Sequence, residues 1–336
     1  MPSAAVEVEV EGRVLRLSNL EKVMYPVEGF TKGQVIDYYT RIAPVVLPHL
    51  RGRPLTLKRY PNGVEGKFFY EKECPKHRPD WVRTEAIYSR RNGRDVNFCV
   101  VDELPTLVWA ANLADLELHT SMALATDIAT PTMVVFDLDP GPPATIVECC
   151  RVALLLRDVF AGLGLESFAK TSGSKGMQLY VPLNTPASYE HTSPFAKALA
   201  ELLEKHHPDL VVSNMSKALR PGKVLVDWSQ NSEHKTTVCV YSLRARERPT
   251  VSAPVSWEEV KQALDAGDPD CLAFDSAEVL ERVADGDLFA PLLELEQELP
   301  LLGESQPRAA RRAVGLRSNM AIQPPGRSRA RRRPRK

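Results

Sequence analysis

Three aspartates sit where strands are expected to end. Asp137 and Asp139 close the β-forming run 132–137 and its continuation Asp-Leu-Asp-Pro-Gly-Pro-Pro. Side chains two apart in an extended chain share a face, so both carboxylates project together while Leu138 turns the other way. Pro140 is expected to end the pairing and leave the strand end open. Neighbouring carboxylates repel unless a proton or a cation neutralises them. A hard divalent ion, Mg²⁺ or Mn²⁺, suits such oxygen ligands. Asp227 follows the apolar run Val224-Leu-Val226 and completes a candidate three-carboxylate site. The spacing alone leaves solvated turn acids as an equal reading. Ser172-Gly-Ser-Lys-Gly176 is a glycine-rich turn whose amides, with Ser172 and Lys175, offer donors and positive charge to a triphosphate. It lacks the Gly-Lys-Ser/Thr spacing of a Walker A loop.

One competing chemistry uses the same residues. Val134-Val-Phe-Asp137-Leu-Asp139 resembles the opening of haloacid-dehalogenase-type phosphatases, whose first Asp is a nucleophile. That motif continues with Gly-Thr or a similar small polar pair and lies near the chain start. Here Pro-Gly-Pro-Pro follows, well inside the chain, which leaves the phosphatase as an alternative.

The elements around these residues read as mixed α/β. Residues 1–17 suggest a strand or hairpin, and Ser18-Asn-Leu-Glu21 has the spacing of a capping box opening a short helix. Thr31 is a candidate N-cap for a helix to about residue 43, with Val35, Ile36, Tyr39 and Ile42 on its apolar side. A strand over 53–60 leads to the turn Pro61-Asn-Gly63, followed by a loop-rich stretch with Phe68, Phe69, Pro75 and Pro79. Residues 103–113 read as helix and 116–122 as strand. Thr145 and Glu148 form a capping box for a helix to about Ala161. Strands over 166–171 and 177–182 flank the glycine-rich turn as a hairpin. Ser193-Pro194 is expected to begin another helix. Strands over 224–228 and 236–243 and helices over 256–266 and 276–298 complete the chain.

Composition sets the frame. The chain has 336 residues, 43% hydrophobic and 26% charged, an ordinary globular balance with room for a large core. No run of about 18 apolar residues is present, which argues against a membrane partner, and the start lacks the basic and apolar regions of a secretory signal. The six cysteines (74, 99, 149, 150, 239, 271) show no metal-site spacing and read as reduced, mostly buried thiols of a cytoplasmic protein. The net charge of zero conceals a split. Residues 307–336 carry eleven Lys/Arg and no acid, leaving 32 basic against 43 acidic residues elsewhere. A basic, disordered tail over 304–336 on an acidic body fits an anionic partner such as nucleic acid.

Several ordered segments resemble the polymerase domain of bacterial ligase D, in the archaeo-eukaryotic primase superfamily. They are Leu57-Lys-Arg-Tyr-Pro-Asn-Gly63, Phe68-Phe-Tyr-Glu-Lys72, Pro75-Lys-His-Arg-Pro-Asp-Trp81, Phe136-Asp-Leu-Asp-Pro-Gly141 and Lys170-Thr-Ser-Gly-Ser-Lys-Gly176. Leu219-Arg-Pro-Gly-Lys223, Val226-Asp-Trp-Ser-Gln-Asn231, Lys235-Thr-Thr237 and Tyr241-Ser-Leu-Arg244 complete the series. The likeness runs from about residue 12 to 300, and the chain looks like one of the stand-alone actinobacterial members that lack the fused ligase.

The resemblance implies a primase-polymerase fold of central mixed or antiparallel sheets flanked by helices. It spans 1–303, with a 5′-phosphate-binding part at about 12–60, a metal and nucleotide core at about 100–250 and helical packing at about 255–300. It also implies a nucleotidyltransferase that uses two divalent metals, Mn²⁺ before Mg²⁺, and prefers ribonucleotides. Asp137, Asp139 and Asp227 would hold the metals. Lys58, His119, Ser172, Lys175, Gln178, Gln230, Arg220 and Arg244 would line the nucleotide pocket, with Phe68 or Phe69 stacking on the base. Gln178 departs from the family's usual His and cannot carry a proton's charge near pH 7.

By the same resemblance, Asn19, Lys22 and Lys32 match a pocket for a DNA 5′-phosphate. Lys32 falls in the first turn of a predicted helix, where free amides and the helix dipole would attract an anion. The implied partner is gapped or broken duplex DNA bearing a 5′-phosphate. A separate ligase and a Ku-type end-binding protein would share a cytoplasmic, nucleoid-associated setting. A catalytically weak DNA-end or gap-binding protein is the remaining alternative.

Overall fold

The computed structural model describes residues 5–90 and 92–300; the expected basic tail lies outside them. Two six-stranded sheets form the frame. The first runs Val211–Val212, Val224–Asp227, Met133–Pro140, Met177–Pro182, Phe168–Thr171, Pro254–Val255, and its neighbours are antiparallel except the first pair. In the second, Thr237–Val238, Asp115–Thr120, Pro54–Arg59, Arg94–Val100 and Thr84–Ser89 are antiparallel neighbours, and Phe69–Glu71 also pairs with Pro54–Arg59. The expected mix of largely antiparallel sheets with flanking helices is what the chain adopts.

Helices cover each sheet because each has one apolar stripe to bury. Ile146–Gly162, Tyr189–His206 and Trp257–Ala266 share an apolar cluster with the first sheet, around Phe136, Leu156, Leu179 and Leu199. Lys32–Leu50 and Leu104–Asn112 share a second cluster with the other sheet, around Tyr39, Leu57, Leu107 and Leu118. Thr31 with Gln34, Thr145 with Glu148 and Ser256 with Glu259 all form the reciprocal hydrogen bonds of a capping box.

Several expected boundaries are corrected. No helix opens at Ser18: Asn19 is left-handed (φ 55°) and begins a turn closed by Lys22 N–H on its carbonyl at 3.0 Å. The helix from Lys32 passes Pro44 and Pro48 to Leu50, because Val46 and Leu50 continue its buried stripe beyond the prolines. The stretch after Gly63 contains Phe69–Glu71 and the hairpin of Thr84–Ser89 with Arg94–Val100. The helix assigned to Ser193 begins at Tyr189, with Pro194 inside its first turns. The strand expected over 236–243 stops at Val238, since Tyr241 turns the chain at φ 64°. The helix expected over 276–298 is two short ones, Ser276–Arg282 and Pro291–Glu294. Pro140 does not end its strand; it stays in register with Val224. Cys74 and Cys99 form a disulfide rather than two thiols, while Cys149, Cys150 and Cys239 are buried and free and Cys271 is free and exposed.

Candidate active site

Strand register assembles the acidic side of the site. Asp137 stands opposite Asp227 on one neighbour and opposite Gln178 on the other. Directly opposed residues share a face of the sheet, and Asp139 follows two residues on. The turn Ser172–Gly176 lies against the same strand. A Cβ on Gly176 would sit 2.0 Å from the Leu138 carbonyl oxygen, so only glycine lets the turn approach between the two aspartates.

Each carboxylate already has partners. Gln178 Nε2 donates to Asp137 Oδ1 at 3.1 Å. Ser229 donates its amide and hydroxyl to Asp227 Oδ1 at 2.9 and 2.6 Å, and Gln230 Nε2 donates to Oδ2 at 2.9 Å. Arg220 Nη1 pairs with Asp139 Oδ2 at 3.2 Å. Burial raises the pKa of Asp137; the Gln178 hydrogen bond opposes this, while Asp227 and Asp139 add to it, leaving a value of about 6.

Among the described residues, no three acidic, His or Cys side chains converge in a metal-ligating cluster. The donor set nonetheless fits a hard divalent cation. It is all oxygen, and its mutual repulsion is the kind a cation relieves.

A cavity of about 300 Å³ opens over this row, lined by residues of both sheets. Of the expected nucleotide residues, His119, Ser172, Lys175, Gln178, Gln230 and Arg244 line it together with Asp137 and Asp139. Arg220 reaches the site through Asp139. The buried Nε of Arg220 has no hydrogen-bond partner among the described residues, and that of Arg244 makes none but lies 3.4 Å from the Glu117 carboxylate. Such donors match an oxyanion.

Lys58, Phe68 and Phe69 lie beside the cavity rather than in its wall. Lys58 Nζ is 4.8 Å from the Phe68 ring centre, 5.4 Å from Tyr60 and 5.5 Å from Tyr70, within cation–π reach. Arg59 covers Phe69 at 5.2 Å. Phe68, 50% exposed, lies on the Lys58 and Tyr70 side and offers a face to a base, whereas Phe69, opposite Arg59, falls on the other face of the sheet.

Two groups with no role in the sequence reading hold the site together. Glu117, 1% exposed, accepts from Lys58 Nζ and His119 Nε2, each at 2.9 Å, lies 3.4 Å from Arg244 Nε, and accepts the Ala245 amide at 3.0 Å. Burial works against its charge, but the His119 hydrogen bond and the Arg244 and Lys58 cations outweigh it and hold the carboxyl well below its usual range. Burial lowers the pKa of His119 despite the opposing effect of Glu117. The second group is Lys170, opposite Gln178. A signal for it existed: a hairpin closed over Ser172–Gly176 must set residue 170 against residue 178.

The DNA-phosphate candidates do come together. Lys32 N–H donates to the Lys22 carbonyl at 2.8 Å, and Lys22 N–H to that of Asn19. Asn19 and Lys22 are exposed. Lys32 is buried, with Nζ on the Ser18 carbonyl at 2.7 Å; burial, then Lys22 and Arg59, lower its pKa to about 8. The expectation of free amides in this first turn is corrected. Gly33 N–H is taken by Leu20 O at 2.8 Å and Gln34 N–H by Thr31 Oγ1 at 3.3 Å, so an anion here would meet side chains.

This geometry agrees with the comparisons. The family model described as the LigD primase-polymerase domain matches residues 31–289. The multifunctional non-homologous end joining protein LigD of Mycolicibacterium smegmatis is 42% identical over 281 residues, 83% of this chain and 36% of that protein. The bifunctional LigD of Bacillus subtilis is 32% identical over 251 residues, 74% of this chain and 40% of the relative. The chain thus spans a little over a third of the length of these relatives. The polymerase domain of Mycobacterium tuberculosis ligase D, solved in complex with DNA, superposes with a TM-score of 0.77 at 40% identity, covering 84% of this chain and 99% of that domain. Fold, site and sequence define a primase-polymerase. The chain belongs to the LigD primase-polymerase domain family, and the phosphatase alternative is set aside.

Proposed function

We propose that this chain is a DNA-directed nucleotidyltransferase that fills short gaps bearing a 5′-phosphate, or extends 3′ ends, during DNA repair by end joining. The observation that carries this reading is that Asp137, paired with Asp227 across the sheet, lies with Asp139 in the wall of a cavity rimmed by Ser172, Lys175 and Arg244. Such a site joins an oxygen-donor metal seat to cations suited to a triphosphate.

Asp137, Asp139 and Asp227 would hold two divalent ions, Mn²⁺ before Mg²⁺. Bound there, such ions supply activation of the 3′ hydroxyl and charge neutralisation at the leaving pyrophosphate. Arg220, Arg244, Lys175 and Ser172 would bind and orient the triphosphate. Arg220 would exchange Asp139 for a phosphate oxygen as the substrate arrives. Lys58 and Phe68 would seat the base, with His119 and Gln230 beside the sugar and metal. A contact to the 2′ hydroxyl would underlie a ribonucleotide preference.

Asn19, Lys22 and Lys32 would hold the downstream 5′-phosphate through side chains alone. The basic residues of 307–336 would add sequence-independent DNA affinity, and deleting them should weaken gap binding at low salt. A Ku-type end-binding protein and a DNA ligase activity are the implied partners. No described helix is long and apolar enough to cross a membrane. Extension of a gapped duplex tests the activity.

A further inference from the structure

The row that carries the aspartates continues past them. Lys170 pairs with Gln178, Gln178 with Asp137 and Asp137 with Asp227, so four adjacent strands set these side chains in line on one face. Lys170 is 1% exposed, and Nζ donates to Gln178 Oε1 and to Ser252 Oγ, each at 2.6 Å. The ammonium also lies 5.5 Å from the Tyr180 ring centre. It makes no ion pair with a carboxylate among the described residues; its direct partners are neutral. Burial, with Arg244 next, brings its pKa down to about 7. Keeping an ammonium in an interior on such terms is costly, and none of the roles assigned above uses it.

The cost fixes the orientation of one amide. In its protonated form Lys170 only donates, and its Nζ meets the oxygen of Gln178. The Tyr180 hydroxyl stands 3.1 Å from the same oxygen. The NH₂ end is then turned to Asp137, where Nε2 reaches Oδ1. The flipped amide would set N–H against ammonium and carbonyl oxygen against carboxylate, replacing two attractions with two repulsions.

We propose that Lys170 is a positioning residue of the metal site, acting through Gln178 to hold Asp137 in the orientation that receives a divalent cation. The proposal rests on the metal role given to Asp137 above. Supporting hydrogen bonds behind a ligand typically change metal affinity about 10–100-fold. Among the described residues, Lys170 hydrogen-bonds one residue of the cavity wall, Gln178, whose NH₂ end is turned to Asp137, so its effect belongs first in metal binding and turnover.

The test is Mn²⁺ titration of the full chain without nucleotide or DNA, read by the paramagnetic resonance signal of free Mn²⁺. Lys170→Met should weaken binding by about tenfold. It should also lower kcat for gap filling with little change in nucleotide KM, while thermal stability holds or rises as the buried charge is removed. Gln178→Leu should weaken Mn²⁺ binding similarly, and the double variant should be no worse than Gln178→Leu alone, the signature of two residues in one relay. Lys170→Gln, measured the same way, serves if the methionine variant fails to fold. Wild-type Mn²⁺ affinity in a folded Lys170 variant would overturn the proposal, as would full additivity in the double variant. Asp137→Ala separates the two layers. If it binds Mn²⁺ like wild type, the metal assignment itself fails; if it loses Mn²⁺ while Lys170→Met keeps it, only the role of Lys170 fails.

Discussion

Lys58 and Glu117 face each other across adjacent strands, with the ammonium 2.9 Å from a carboxylate oxygen that also accepts from His119. Arg244 approaches the same oxygen from a third segment. One buried anion thus sets the spacing of three residues proposed to meet the nucleotide.

Glu117→Gln removes that anion and strands the cations around it. Breaking a buried pair from one side typically costs about 3–5 kcal/mol. Urea unfolding should show a loss of that order, with an unchanged slope. A loss below about 1 kcal/mol, the range of exposed pairs, would mean that solvent already screens the cluster.

Metal affinity should follow the protonation of Asp137. Its pKa of about 6 means the acid is mostly protonated at pH 5 and mostly ionised at pH 7. A cation must displace that proton, so Mn²⁺ affinity should fall about tenfold per pH unit below 6 and level off above it. The unfolded acid releases its proton near 3.9. The metal-free fold therefore binds more protons between about pH 4 and 6, and this group's contribution to stability declines as pH rises through that window. Calorimetry at pH 5, 6 and 7 with and without Mn²⁺ checks both slopes.

The 5′-phosphate pocket should discriminate between gap ends. A charge-assisted hydrogen bond is worth about 1.5–3 kcal/mol. Lys32→Met should thus weaken binding to a 5′-phosphorylated gap by roughly 10–100-fold and leave the 5′-hydroxyl gap nearly unaffected. Fluorescence anisotropy on the two duplexes measures the ratio directly; an equal loss on both would remove Lys32 from phosphate recognition.

Gly176→Ala adds a Cβ 2.0 Å from the Leu138 carbonyl oxygen. The turn must move off the strand Met133–Pro140, at a cost typical of overpacking, about 1–3 kcal/mol. Thermal melts should show the destabilisation, and nucleotide incorporation should fall with it.

The sequence was most legible where a local rule decides the structure. The N-cap at Thr31 and the capping box at Thr145 started helices where the sequence placed them, and Asp227 closes its strand as the apolar run implied, whereas Asp137 and Asp139 lie inside a strand that runs on to Pro140. Proline and capping signals misled where tertiary packing overrode them. Pro44 lies inside a helix whose buried stripe runs past it, and Ser18 precedes Asn19, whose left-handed backbone keeps it out of a helical first turn. The aromatic strand Phe69–Glu71 was hidden because its pairing with Pro54–Arg59 is a long-range fact. Glu117 was hidden for a related reason. Nothing local distinguishes an acid in an apolar strand, and its meaning lies in Lys58, His119 and Arg244, gathered from two other positions of the fold and its own strand.

The most direct measurement is extension of a short gapped duplex bearing a 5′-phosphate, with ribonucleotides and deoxyribonucleotides in Mn²⁺ and in Mg²⁺, beside Asp137→Ala and Asp227→Ala. Templated incorporation by wild type, strongest with ribonucleotides and Mn²⁺ and abolished in both variants, is the predicted result. Intact gap binding with no incorporation under any of these conditions would contradict it and leave a DNA-bridging protein in its place.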